Sequence, residues 1–196
     1  MKKIICVLFL MFYALSVWSQ QVSTMAIPHQ DSTKDNLDAK LPSRYTELKG
    51  EEFKKFVSEN KSKNQAKRFK GRIFKTDSMY ITYQYHTHNA KYNVSPTMLE
   101  DKQRGIIGMS QRLPLPGGKH LIVDTSFIKT INNTIYLIME IHDNESWVIS
   151  FNSDYESKTS LRYINGNITF YKQADERKAW KDLYELLGTM RFKVKK

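Results

Sequence analysis

His86-Thr87-His88 is the sharpest chemical pairing in the chain. On a strand, residues i and i+2 point the same way, so two imidazoles at that spacing can share one metal ion, zinc first among them. His120, His142 or Glu140 would supply a third ligand. The plainer reading is that both histidines continue a polar strand face begun by Thr82 and Gln84 and stand in solvent. Glu140 and His142 repeat the i, i+2 spacing and offer an acid/base pair. No nucleophile motif accompanies them. The sequence has no Gly-x-Ser-x-Gly elbow and no glycine-rich phosphate loop, so no catalytic residue is assigned.

The other chemistry is charge. Lys49 to Lys75 carries ten basic residues against Glu51, Glu52 and Glu59. Lys61, Lys63, Lys67, Arg68 and Lys70 form its densest part, with Phe53, Phe56, Phe69 and Phe74 interleaved. Such a segment can meet an anionic surface while its aromatics wedge in. The competing reading is a core-facing helix whose lysines are solvated, since Phe53 and Phe56 fall on one side. Arg191 to Lys196 adds a second basic stretch of +4.

The start of the chain limits where this chemistry happens. Met1-Lys2-Lys3, an apolar run from Ile4 to Leu15 and the small residues Val17 and Ser19 make a bacterial-type signal peptide, cleaved after Ser19. The run falls short of the roughly 20 residues that span a bilayer. The one cysteine, Cys6, leaves with it. The expected mature chain of 177 residues and net charge +9 has no disulfide and no thiolate, and relies on its core. That length suits one domain. An exported location, periplasmic or extracellular, disfavours nucleic acid as a partner.

Gln20 to Arg44 is polar, with Pro28 and Pro42, and reads as a flexible leader, leaving residues 45–196 as the domain. Phe53, Phe56 and Val57 predict an amphipathic helix over 50–60. Residues 61–70 read as a loop or helix end. Residues 72–88 read as a strand, with Met79, Ile81, Tyr83 and Tyr85 on one face. Ser95-Pro96 starts a helix expected to run to about Arg104 and stop at Gly105 and Gly108. Residues 120–131 read as a strand or a bent pair, and strands follow over 134–142 and 147–152, with a turn at Asn132-Asn133. Asn165-Gly166 between two further runs predicts a hairpin. Trp180, Leu183, Tyr184 and Leu187 mark a helix over 174–187 that stops at Gly188, and Met190 to Val194 alternates as a last strand. The predicted class is α+β, a mainly antiparallel sheet flanked by helices that closes with a helix and a short strand. Trp147, Phe151, Tyr163, Phe170, Trp180 and Phe192 are assigned to the core.

From His120 to Val194 this order, ending in Thr189-Met190-Arg191-Phe192 after the helix with Trp180 and Leu183, resembles the PsbP-like fold family. That family includes an extrinsic photosystem II subunit and small exported bacterial relatives. The resemblance implies non-enzymatic binding or assembly work at a membrane or envelope, and it brings no fixed catalytic set. Together these readings predict a monomeric exported accessory protein that recognises an anionic protein or envelope component, in an immunity-type or complex-assembly role. Any membrane contact would be peripheral. Two alternatives stand beside it: a small periplasmic metal-dependent or hydrolytic enzyme using His86 and His88, and a carrier of a small hydrophobic ligand.

Overall fold

The computed structural model describes residues 36–61, 63–87, 95–112, 121–143, 145–156 and 161–193. The expected signal peptide, His88 and His120 lie outside them. In chain order the elements are β1 (Leu37–Asp38), β2 (Thr46–Glu47), α1 (Gly50–Asn60), α2 (Lys63–Arg68), β3 (Arg72–Lys75), β4 (Met79–Thr87) and α3 (Met98–Arg112). There follow β5 (Ile122–Ile131), β6 (Thr134–His142), β7 (Trp147–Ser153), β8 (Arg162–Phe170), α4 (Glu176–Thr189) and β9 (Arg191–Phe192).

Seven strands pair in the order β2-β3-β4-β8-β7-β6-β5, every neighbour antiparallel. The class is α+β, as the sequence predicts. β1 and β9 form a separate two-stranded ribbon, with Leu37 opposite Phe192. Residues 36–44, inside the segment expected as a polar leader, are therefore docked on the domain. Leu37 is buried in the main core, and Ala39 and Leu41 pack against it.

Both faces of the sheet are covered, because inward residues alternate with a second apolar set. On one face Met79, Ile81, Tyr83, Ile138, Ile149, Phe151, Ile168 and Phe170 pack beneath α4 through Ala179, Leu183, Leu186 and Leu187. The expected helical stripe is rotated by one residue: Ala179 is sealed and Tyr184 faces outward. On the opposite face α3 seats Leu99 and Ile106 on Leu137, Met139, Ile141 and Val148. Beyond it, α1 seats Val57, Phe53 and Phe56 on Leu48, Ile73 and Tyr80. α3 runs through Gly105 and Gly108, which were expected to end it. Burial of Ile106 and Ile107 after Gly105 outweighs the roughly 1 kcal/mol that each interior glycine costs. The Ser95 hydroxyl accepts from the Thr97 amide at 3.2 Å ahead of this helix, the expected polar start.

Asn165-Gly166 is no turn. β8 passes straight through it, paired with β4 from Met79 opposite Phe170 to Thr87 opposite Arg162. A Cβ on Gly166 would lie 2.3 Å from Phe151 Cζ and 2.5 Å from the Thr82 carbonyl oxygen. Glycine is used there for close packing, not for a left-handed backbone. The tight hairpin falls instead at Asn132-Asn133, both at positive φ (50° and 61°), between β5 and β6. The single strand expected over 72–88 is two, separated at Thr76–Ser78, where the Thr76 hydroxyl accepts from the Met79 amide at 3.1 Å.

Candidate functional site

The basic segment does not form an unbroken positive surface. Arg72 Nε donates to Glu47 Oε1 at 2.7 Å, Lys75 pairs with Glu52 at 2.9 Å and Lys54 with Glu51 at 2.7 Å. The Arg72 hydrogen bond holds the Glu47 carboxyl below its usual range. Lys61 is 6% exposed, and its ammonium sits 4.3 Å from the centre of the Phe69 ring. Burial pushes it down to about 8. Lys61 thus belongs to the small core under α1, whereas Lys67 and Lys70 are exposed. Lys63 and Arg68 fall in α2, with side chains outside the described set. Phe53, Phe56 and Phe69 pack inward.

Tertiary structure builds a different basic site. Arg44 and Thr46 before α1, Lys75 to Ser78 between β3 and β4, and Lys178 on α4 line one open cleft of about 370 Å³. Three cations from distant parts of the chain converge there: Arg44, which the buried Asp182 engages, Lys75, which Glu52 engages, and Lys178, which pairs with no carboxylate among the described residues. Asp77 is the single acid among the lining residues. Arg44 and Lys178 were not singled out by sequence, because neither lies in a charge run.

His86 lies on β4, with its ring stacked on Tyr163 at 4.6 Å between centroids. Its Nε2 is 3.1 Å from Asn165 Oδ1 and its Nδ1 is 3.4 Å from Gln84 Nε2. An Nε2–H tautomer satisfies both contacts, donating to the Asn165 carbonyl and accepting from the Gln84 amide. Among the described residues no three histidines or carboxylates converge as metal ligands. Glu140 and His142 share the face covered by α4, as their spacing requires. Trp180 Nε1 donates to Glu140 Oε2 at 2.8 Å, and His142 Nε2 lies 3.3 Å from Asp124. Burial, which outweighs the Trp180 hydrogen bond, raises the Glu140 carboxyl above its usual range.

The polar face that the sequence shows at Thr82 and Gln84 extends across two further strands. On the face carrying α1 and α3, the strip of sheet between those helices is polar. Thr82, Asn167 and Ser150 lie side by side on β4, β8 and β7, and Gln84, Asn165 and Asn152 form the next row. Lys102 on α3 reaches down to this floor and donates to Asn152 Oδ1 at 2.6 Å. The signal was present as polar residues at i and i+2 on three strands. It becomes visible only once the strands are known to be neighbours.

No protein-family model and no curated protein matches this chain. Solved structures do. LpqN, described as involved in cell envelope biogenesis of Mycobacterium tuberculosis, matches with a TM-score of 0.51 at 8% identity over 81% of this chain and 83% of its own. A cyanobacterial PsbP from Synechocystis matches at 0.46 and 7% identity, over 87% of this chain and 96% of its own. A Bacteroides thetaiotaomicron protein matches at 0.44 and 11% identity, over 81% of this chain and 46% of its own. At these identities the likeness is one of fold alone.

Proposed function

We propose that this is an exported, non-catalytic accessory protein of the cell envelope that recognises an anionic partner, a protein or an envelope component. The observation that carries the reading is the cleft where Arg44, Lys75 and Lys178 converge from three distant segments. Cations assembled by tertiary structure make a recognition surface with a defined geometry, and electrostatic complementarity of this kind sets specificity and association rate. The fold shared with LpqN, a protein involved in envelope biogenesis, is consistent with an envelope location. The expected signal peptide supports the same location.

The test is affinity capture from envelope extract with wild-type protein, a Lys75→Glu/Lys178→Glu variant and a Lys67→Glu/Lys70→Glu variant. A stoichiometric partner kept by the second variant and lost by the first supports the cleft. A partner retained equally by all three overturns its role.

A further inference from the structure

The polar strip between α1 and α3 is placed where a sheet face would ordinarily be apolar. At both ends this face follows the usual rule: Ile73 and Tyr80 meet α1, and Leu137, Met139, Ile141 and Val148 meet α3. Between them the pattern inverts. Thr82 is 8% exposed, Asn167 5%, Thr169 5%, Asn152 2% and Ser150 0%. Buried polar side chains are nearly always hydrogen-bonded. The side chains of Thr82, Asn167 and Thr169 make no hydrogen bond within the described residues, and their polar atoms are not among the sealed, unpartnered ones, so they keep solvent-facing hydrogen-bonding capacity on this strip.

Lys102 sharpens the anomaly. Its ammonium is bonded to a neutral amide, Asn152, and no carboxylate among the described residues pairs with it. The other charged groups of α3 do not offset it: Asp101 is engaged by Arg104 and the Thr97 hydroxyl. Gln103 beside it donates to Ser126 on β5 at 2.7 Å, which holds the helix against the sheet edge. Desolvation without a counter-charge pushes the Lys102 amine down to about 8.

We infer that this strip is a binding site for a small anionic ligand, whose carboxylate or phosphate pairs with the Lys102 ammonium while its neighbouring polar atoms bond Asn167 and Thr82. An ammonium over amide and hydroxyl groups supplies charge and several directional hydrogen bonds, the combination that holds an oxyanion. The site lies on the face opposite α4 and does not depend on the Arg44–Lys75–Lys178 cleft.

The experiment is a nuclear magnetic resonance titration of the full mature chain with inorganic phosphate and, separately, with acetate. Side-chain amides of Asn152 and Asn167 and the Lys102 ammonium are followed. Expected is a saturable shift of the Asn167 amide with a rise in the Lys102 pKa. The anion that binds more tightly identifies the ligand as a phosphate or a carboxylate. Lys102→Met should weaken binding by about tenfold or more, the scale of a lost charge-assisted bond. Should that variant fail to fold, Asn167→Ala decides: a weakened affinity supports the site. Shifts absent with both anions, or equal in wild type and whichever variant folds, overturn it. Partner capture through the basic cleft would be unaffected by either result.

Discussion

The Tyr45 hydroxyl donates to Asp182 Oδ2 at 2.6 Å, joining the segment before β2 to the middle of α4 across 137 positions of sequence. Asp182 is fully buried, and the Arg44 guanidinium meets its other oxygen. The bond explains how a polar N-terminal stretch stays on the domain. It also places Arg44 at the mouth of the basic cleft.

Tyr45→Phe should therefore destabilise the protein by about 1.5–3 kcal/mol, the range for a hydrogen bond to a charged group. The carboxylate would keep Arg44 but lose its second partner. Urea unfolding of the variant measures the change, and a loss well under 1 kcal/mol would show that Arg44 alone satisfies Asp182.

Gly166→Ala introduces a methyl where the Phe151 ring and the Thr82 carbonyl already stand within 2.5 Å of the Cβ position. A loss of roughly 1–3 kcal/mol is expected for overpacking at such a site. Combining it with Phe151→Leu should recover part of the loss, because a shorter side chain removes the closest of the obstacles, leaving the Thr82 carbonyl and the Tyr83 Cβ. Thermal unfolding of the single and double variants tests the coupling.

Glu140 gives a pH dependence of definite sign. Burial holds its folded-state carboxyl above the usual carboxylate range, so the folded state holds the proton more tightly than the unfolded chain does. The group stabilises the fold in acid, and that contribution is lost as pH rises through the raised folded value. Glu140→Gln keeps an acceptor for Trp180 without the charge. Relative to wild type it should lose less stability as pH rises through the raised carboxyl value, as read by urea unfolding at a series of pH values from acid to neutral.

Lys61 predicts a rise at the other end of the scale. Its amine falls from 10.5 to about 8 on folding, so the unfolded chain holds the extra proton between those values. Stability should climb with pH across that window. Lys61→Met should flatten the climb, because it removes the group that titrates in that window. A climb of equal slope in the variant would assign it to other groups.

The elements were legible wherever a local pattern and tertiary burial agree. Phe53, Phe56 and Val57 predict α1 within its observed bounds, and Asn132-Asn133 predicts a turn that the left-handed backbone at both residues confirms. The misreadings share one cause. Gly105, Gly108 and Gly166 look like punctuation because a glycine's reason for being there is not encoded beside it. At Gly166 that reason is a phenylalanine on the neighbouring strand.

The sequence by itself determined the α+β class, the export signal to be expected at the N-terminus, the excess of positive charge and most of the apolar stripes. These depend on residue type and on the short periods of helix and strand. Only the tertiary structure decided which charges matter. It spent much of the basic segment in pairs with Glu47, Glu51 and Glu52 and buried Lys61. It brought Lys178 into one cleft beside Arg44 and Lys75, which Asp182 and Glu52 engage, and set Lys102 over a polar floor. Charge in a sequence is a local property. Its availability depends on strand order and helix placement, and these arise from contacts between residues far apart in the chain.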